Sequence, residues 1–280
     1  MFDLMDKKKI SPSRIIIILL LVLFAASIIY PLFWMFMSSL KSYDEIYNAT
    51  WSLPETWLWE NYVKAWNGGV ASYFVNSLIV TFATIVLVIF VGSMGAFALS
   101  KYKSRFIDLV FLLVTAGIMI NPQVCLVPLF KMLNYFHLLD TKWSLILSYV
   151  AFRLPLVTLL LRSYFLSIPK EINESAVVDG CNEFQIYAHI YLPMSKPMLT
   201  TVTLLTAYYA WNEFLFGIIF ISSDSQKTIP AGLMNFRDAL QTDWGTLLAG
   251  MAIATLPMII LLIVFQKQLV RGISEGSVKG

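Results

Sequence analysis

Charge is scarce in this chain. Only 13% of its 280 residues are Asp, Glu, Lys or Arg, while 58% are hydrophobic and the mean hydropathy is +0.73. A soluble domain carries roughly a quarter charged residues, so the balance excludes an ordinary soluble globule and points to a multi-span membrane protein. Cysteine and histidine are scarcer still, two of each. Cys125 and Cys181 form neither a CxxC nor a metal spacing, and His137 and His189 lie far apart, so no metal site is expected and the thiols read as buried or lipid-facing. There is no HExxH and no GxSxG, so the chain is not expected to be an enzyme. There is no GxxxxGK[ST] phosphate loop either, so the chain by itself does not bind ATP in the P-loop manner. Internal repeats and low-complexity segments are also missing, and no appended soluble domain is expected. The net charge of +3 is spread along the chain rather than gathered, which argues against nucleic acid as a partner.

What is present is grease in long runs. A bilayer core of about 30 Å takes about 20 apolar helical residues, and runs of that length lie at approximately 14 to 37, 71 to 99, 106 to 125, 143 to 166, 198 to 221 and 246 to 268. The reading is an all-α membrane protein of six spans covering 14–270, with short tails at 1–13 and 271–280. The first run follows Lys7, Lys8 and Lys9 but continues well past a signal-peptide core, so it reads as an uncleaved helix. With the amino terminus inside, thirteen basic residues fall on inner segments and six on outer ones, which places both termini in the cytoplasm. Trp51, Trp57, Trp59, Tyr62 and Trp66 cluster on an outer segment and read as interface anchors. Pro122 and Pro128 interrupt the pattern, so 122–142 is expected to be a short re-entrant or surface helix.

The segment 167–197 breaks the grease on the inner side. Within SIPKEINESAVVDG, Pro169 sits where a helix begins, Glu171 lies in the first turn and Gly180 sits where a helix ends, which predicts about 11 residues of helix, roughly 16 Å long. Ile172, Ala176 and Asp179 share a face, and Ser175 with Ala176 leaves that surface thin enough to enter a groove on another protein. Phe184, Tyr187 and Ile190 supply a second apolar face. Such a helix either docks on a partner or merely connects two spans, and the residues alone leave both open.

Glu174-Ser175-Ala176, three residues, Gly180, nine residues, Ile190, one residue, Leu192-Pro193 resembles the EAA signature of permease subunits of binding-protein-dependent ABC importers. Ser175 stands where that family usually has Ala, and both are small. NYVKAW at Asn61 to Trp66, NSLIV at Asn76 to Val80, WNEFLF at Trp211 to Phe216, TIPAGL at Thr228 to Leu233 and the closing QKQLVRGISEGSVKG extend the likeness along nearly the whole chain, toward carbohydrate permeases of the maltose-system type. The resemblance implies an ABC importer permease fold. It implies that Glu174, Ser175, Ala176, Asp179, Gly180, Ile190, Leu192 and Pro193 couple the spans to a cytoplasmic ATPase, present in two copies and carrying the ATP and Mg. It further implies a second related permease subunit, an extracytoplasmic solute-binding protein reached through the loop Ser222 to Trp244 with Gly232 and Leu233, and a place in a bacterial-type cell membrane.

Ionisable residues inside spans are candidate functional groups. Arg153 in the fourth run and Glu213 in the fifth lie at similar depth, and the expectation is that they pair. Around Glu213, Tyr208, Tyr209, Trp211 and Asn212 join flat apolar faces to hydrogen-bonding edges, the chemistry that holds a sugar. Helix packing is the other reading of these aromatics, and only a subset can face one cavity. A permease for peptides, polyamines or an anion shares the same loop signature, and an ion-coupled secondary transporter is the further alternative, although six spans without an inverted repeat fit it poorly.

Overall fold

A computed structural model describes residues 12–237 and 242–277, with 267–277 as backbone. The basic cluster Lys7, Lys8 and Lys9 and the end of the carboxy-terminal tail at 278–280 lie outside the described residues. The α-helices in chain order are α1 (Pro12–Ser38), α2 (Tyr43–Asn48), α3 (Glu60–Ala65), α4 (Ala71–Lys101), α5 (Arg105–Ala116), α6 (Leu126–Tyr135), α7 (Lys142–Leu166), α8 (Lys170–Val178), α9 (Glu183–Ile186), α10 (Leu192–Met194), α11 (Lys196–Asn212), α12 (Leu215–Phe220), α13 (Ile229–Gly232) and α14 (Trp244–Ser277). Among the described residues the only β-type pairing is an isolated bridge between Arg237 and Thr242. An all-helical solution follows from the composition, because backbone groups in hydrocarbon have no water to bond and a helix satisfies them internally.

Four segments are long and apolar enough to cross a membrane: Ser13–Ser38, Glu60–Lys101, Lys142–Leu166 and Trp244–Gln266. They correspond to the first, second, fourth and sixth runs. The third and fifth runs are not single long helices. The third ends as α5 at Ala116, passes through a 3₁₀ turn at Gly117–Met119 and turns again at Pro122 before α6. Gly117 lies against the Pro155 ring, where an added Cβ would stand 3.0 Å from Cγ, and Pro122 has no N–H to extend a ladder. The fifth is cut between α11 and α12, where Glu213 takes an extended conformation (φ −69°, ψ 125°). α14 continues to Ser277, into the segment read as a tail.

The chain divides into two compact units, 1–66 with 236–253, and 67–235 with 254–280. In the first, Met35, Ile46, Leu248 and Ala252 form a small core with Trp34, Tyr62 and Trp244 against it. Lys41 is 1% exposed there and donates from Nζ to the carbonyls of Ala49 (2.8 Å) and Thr50 (3.2 Å), a cation stationed at the carboxy-terminal end of α2. Asn61 Nδ2 donates to the carbonyls of Ser39 and Lys41 at 2.9 and 3.1 Å, which fixes the start of the NYVKAW stretch. Tyr30 stacks on Trp51 at 5.8 Å between centroids, while Trp51, Trp57 and Trp59 stay exposed.

The second unit is built on α4 and α7. Its core runs from Val80, Val88 and Phe97 on α4 to Leu145, Tyr149, Val157, Leu161 and Phe165 on α7, joined by Val202 and Ala210 of α11. The two long helices run in the same direction, with Arg162 Nε donating to the Leu99 carbonyl at 3.0 Å near their carboxy-terminal ends. At their amino-terminal ends a loop, residues 222–235, is fastened by polar contacts. Asn76 Nδ2 donates to the carbonyls of Ser225 and Lys227, Lys142 Nζ to Gln226 Oε1 at 2.7 Å, and the Ile229 N–H to Ser77 Oγ at 2.9 Å. The Tyr73 hydroxyl donates to Asp224 at 2.7 Å, and the ring lies against Gly69 and Gly232. Asp140 accepts from the N–H groups of Ser222 and Ser223 and from the Ser223 hydroxyl.

This latch generates a pair of expectations. The Ser223 hydroxyl and N–H hold the Asp140 carboxyl below the usual carboxylate range; at Asp224 burial pushes upward, but Tyr73, Asn235 and Lys227 together outweigh it and the net shift is also down. A depressed folded-state value contributes stability above the unfolded value, near pH 4, that is lost as pH falls through the folded value. Limited proteolysis of 222–237 is therefore expected to stay slow at neutral pH and to accelerate only in the acid range below about pH 4. In Gly232→Ala the new Cβ would stand 2.3 Å from Tyr73 Cδ2, so the ring must move; cleavage of this loop already at pH 7 is the expected outcome, and wild-type resistance would show that the ring is not tightly held.

Candidate functional site

The interruption between the fourth and fifth runs folds as expected in outline and differs in detail. α8 has nine residues, with Pro169 at its N-cap. It closes with Gly180 in the left-handed region (φ +80°): the Gly180 N–H donates to the Val177 carbonyl at 3.0 Å and the Cys181 N–H to the Ala176 carbonyl at 3.0 Å, the paired bonds of a Schellman motif. Asn182 then starts α9 through reciprocal bonds with Gln185. The face that sequence reasoning offered to a partner, the one with Ala176, is the face turned inward. Ala176 is 6% exposed and packs on the core, whereas Val178 is 86% exposed beside Val177, Glu174 and Ser175. Asp179 and Pro193 are also exposed, while Ile190 and Leu192 pack partly buried against the core. Small size at 176 thus lets the helix lie close on its own bundle.

An aromatic cluster joins this segment to the long helices. Phe97 of α4 lies 4.9 Å from Tyr191 and 5.4 Å from Tyr187 between centroids, and Phe165 of α7 lies 5.4 Å from Tyr191. The Tyr187 hydroxyl and Ser93 Oγ are 2.7 Å apart and buried. Tyr187 and Ile190 therefore serve internal packing, and of the expected second apolar face only Phe184 is largely exposed.

Arg153 and Glu213 are near the same ring but are not an ion pair. Arg153 is stacked over Tyr209, with Cζ 5.0 Å from the centroid, and its buried Nε has no hydrogen-bond partner. Glu213 accepts from the Tyr149 hydroxyl at 2.8 Å and from the N–H groups of Phe216 (2.9 Å) and Gly217 (3.3 Å). No ion pair links Arg153 and Glu213 among the described residues, which corrects the expected pairing. The physical reason is the helix break: once α11 stops at Asn212, the first N–H groups of α12 are free, and the carboxylate answers them first. Trp211 is turned away, with Nε1 donating to the Ala254 carbonyl at 3.0 Å and its ring edge-on to Phe74. Tyr208 and Asn212 are exposed and tied to each other, Asn212 Nδ2 donating to the Tyr208 carbonyl. At the far end of the unit, Gly232 is buried beneath Tyr73 and Leu233 is half-buried, so neither presents an open contact face.

Residues 89–275, which include the whole of the α8 to α12 region, match the family described as binding-protein-dependent transport system inner membrane component. The chain belongs to this family. It is 51% identical over 260 residues to the probable ABC transporter permease protein YurM of Bacillus subtilis, covering 93% of this chain and 87% of the relative. It is 32% identical over 261 residues to the diacetylchitobiose uptake system permease protein NgcG of Streptomyces coelicolor, covering 92% and 86%. Its fold matches a chain in the crystal structure of a bacterial ABC transporter involved in the import of the acidic polysaccharide alginate, with a TM-score of 0.80 at 24% identity over 93% of this chain and 99% of that one.

As a member of that inner membrane family, the chain carries two features that the sequence reading passed over. Tyr149 is fully buried and supplies the hydroxyl that Glu213 uses, although 64 positions separate them and no local pattern connects them. Val178 is an apolar side chain left 86% exposed on α8, visible only once Ala176 is known to face inward. The Glu213 cap generates a test. Tyr149→Phe removes one hydrogen bond to the Glu213 carboxyl and is expected to cost about 1 kcal/mol. Glu213→Leu frees every one of these donors and is expected to cost more, with α12 loosened. Thermal unfolding of the detergent-solubilised chain would rank them wild type, Tyr149→Phe, Glu213→Leu; equal midpoints would show that the carboxylate does not hold the break together.

Proposed function

We propose that this chain is one half of the membrane pathway of an ATP-driven importer for a sugar or oligosaccharide. The observation that carries the reading is the family match together with the Schellman-closed helix α8, whose exposed Glu174, Ser175, Val177 and Val178 offer a compact patch to a cytoplasmic partner. The third and fifth runs cross the bilayer as broken helices, making six spans with the segment 122–142 outside and both termini in the cytoplasm. A helix broken inside a membrane protein is tolerated where the freed backbone groups are re-satisfied, and Glu213 does this for α12.

A second, related permease subunit completes the pathway, and two copies of a cytoplasmic ATPase hold ATP and Mg. Closure of the ATPases moves α8, and the contacts of Phe97 and Phe165 with Tyr187 and Tyr191 pass that movement to α4 and α7 as a body rather than absorbing it. An extracytoplasmic binding protein delivers the solute at the opposite end, over the loop 222–237, where the exposed Met234 is the contact and Gly232 and Leu233 position it. Within the pathway Tyr208, Asn212, Glu213 and Arg153 are the candidate solute groups, and the packing of Trp211 makes it a support for them.

A sugar is the favoured cargo because a relative 32% identical carries diacetylchitobiose in its name and because Tyr208 and Asn212 present an aromatic face beside an amide in one exposed turn. Reconstituting the complete complex in lipid with its binding protein and measuring ATP turnover tests the assignment. Stimulation by a neutral disaccharide or longer oligosaccharide, and none by a dipeptide, polyamine or inorganic anion, is the expected result. Stimulation by one of the latter alone would overturn the sugar reading and leave the importer reading in place.

A further inference from the structure

A cavity of about 340 Å³ opens where α4 and α7 end and α8 begins. Its volume falls in the range of small-ligand sites, roughly 300–1,000 Å³. Three lysines reach it from three different segments: Lys101 from the last turn of α4, Lys103 from the connection that follows, and Lys170 from the start of α8. Lys101 is engaged by Glu183, whereas neither Lys103 nor Lys170 has an ion-pair partner among the described residues. Glu174 is the acid on the lining itself, so even with Glu183 counted the site keeps an excess of positive charge. The first turn of α8 adds N–H groups that no helix carbonyl satisfies and the positive end of a nine-residue helix.

Two further observations narrow the ligand. Asn173 lines the same cavity, and its side-chain oxygen is buried without a hydrogen-bond partner, an acceptor that a simple inorganic anion does not satisfy. Ser100 and Tyr191 also line it, and one side of the wall is apolar, with Phe165, Leu166 and Ile168 at the exit of α7. A group that suits all of this carries a phosphate for the lysines, hydroxyls for Asn173 and Glu174, and an apolar continuation for the α7 wall.

We propose that this cavity binds a hydroxyl-bearing phosphate ester, supplied by the glycerol headgroup of an anionic membrane lipid such as phosphatidylglycerol. The two helices whose ends form it are both long and apolar enough to cross a membrane, and they run in the same direction, so the cavity lies at the level of the lipid phosphates on that side. Basic pockets between helix ends at the cytoplasmic face are where anionic headgroups settle. The bound headgroup touches Lys170, Asn173 and Glu174, and so ties the first turn of α8 to the leaflet beside it.

Native mass spectrometry of the full chain, purified with its co-assembled subunits and exchanged into mild detergent, tests the site without reference to transport. The probes are dioleoyl phosphatidylglycerol, dioleoyl phosphatidylcholine with the same acyl chains, and glycerol 3-phosphate. Retention of phosphatidylglycerol over phosphatidylcholine is expected, falling by about fivefold for each lysine removed in Lys103→Gln and Lys170→Gln. Lys131→Gln, on α6, is the control expected to retain lipid as wild type does. Failure of glycerol 3-phosphate to displace the lipid assigns the headgroup to the membrane, whereas capture of glycerol 3-phosphate alone, lost in the double lysine variant, keeps the phosphate-ester site and assigns a soluble source. Equal retention of the two lipids by wild type with no capture of glycerol 3-phosphate, or unchanged retention in the double variant, overturns the proposal.

Discussion

The seam between α4 and α7 is the contact on which the larger unit rests. In lipid there is little hydrophobic drive to bring helices together, so close approach and buried polar contacts decide which faces meet. Gly92 supplies the close approach, since a Cβ there would stand 3.0 Å from Val157 Cγ1, and the fully buried Val88, Val157 and Leu161 fill the space around it. Because the two helices run the same way, one seam creates two different ends. One end receives the loop 222–235 through Tyr73, Asn76, Ser77 and Lys142, and the other receives α8 to α10 through Phe97 and Phe165.

That polarity gives the family's role a physical basis in this chain. Whatever moves α8 pulls on an aromatic cluster anchored to both long helices, and a close-packed cluster passes displacement on because it has no void to collapse into. Gly180 and the Schellman bonds fix where α8 stops, and Asn182 fixes where α9 starts, so the segment is held at defined points. The break at Glu213 is the other place where the chain departs from regular structure. There the Glu213 carboxyl accepts from the freed N–H groups of α12 and from the buried Tyr149 hydroxyl, which makes the irregular backbone tolerable.

Much of this was legible in the residues. Run length alone located α1, α4, α7 and α14, and the Pro169 to Gly180 punctuation located α8 to within a few residues. The spacing of Glu174, Gly180, Ile190 and Leu192-Pro193 pointed to the family that the match at 89–275 establishes. What escaped the sequence depended on contacts between distant residues. A period of 3.6 places Ile172 and Ala176 on one face but does not say which face looks inward, and the core claimed Ala176. Opposite charges at similar depth suggested an Arg153 to Glu213 pair, yet helix donors three and four residues ahead of Glu213 were nearer at hand than a guanidinium on another helix. Nothing local marked Lys41 as buried, since its acceptors are carbonyls whose orientation exists only after α2 forms.

The central claim is that α8 is the surface through which a separate ATPase drives this chain. Affinity purification of the tagged chain from its native membranes, comparing wild type with Gly180→Leu and identifying the accompanying subunits by mass spectrometry, tests it most directly. A left-handed residue with a Cβ costs about 1–2 kcal/mol, enough to disturb the Schellman end of α8 while leaving the spans intact. The account predicts that wild type brings an ATPase and a second permease, and that the variant keeps the permease and loses the ATPase. An ATPase retained equally by both, or found with neither, would contradict it.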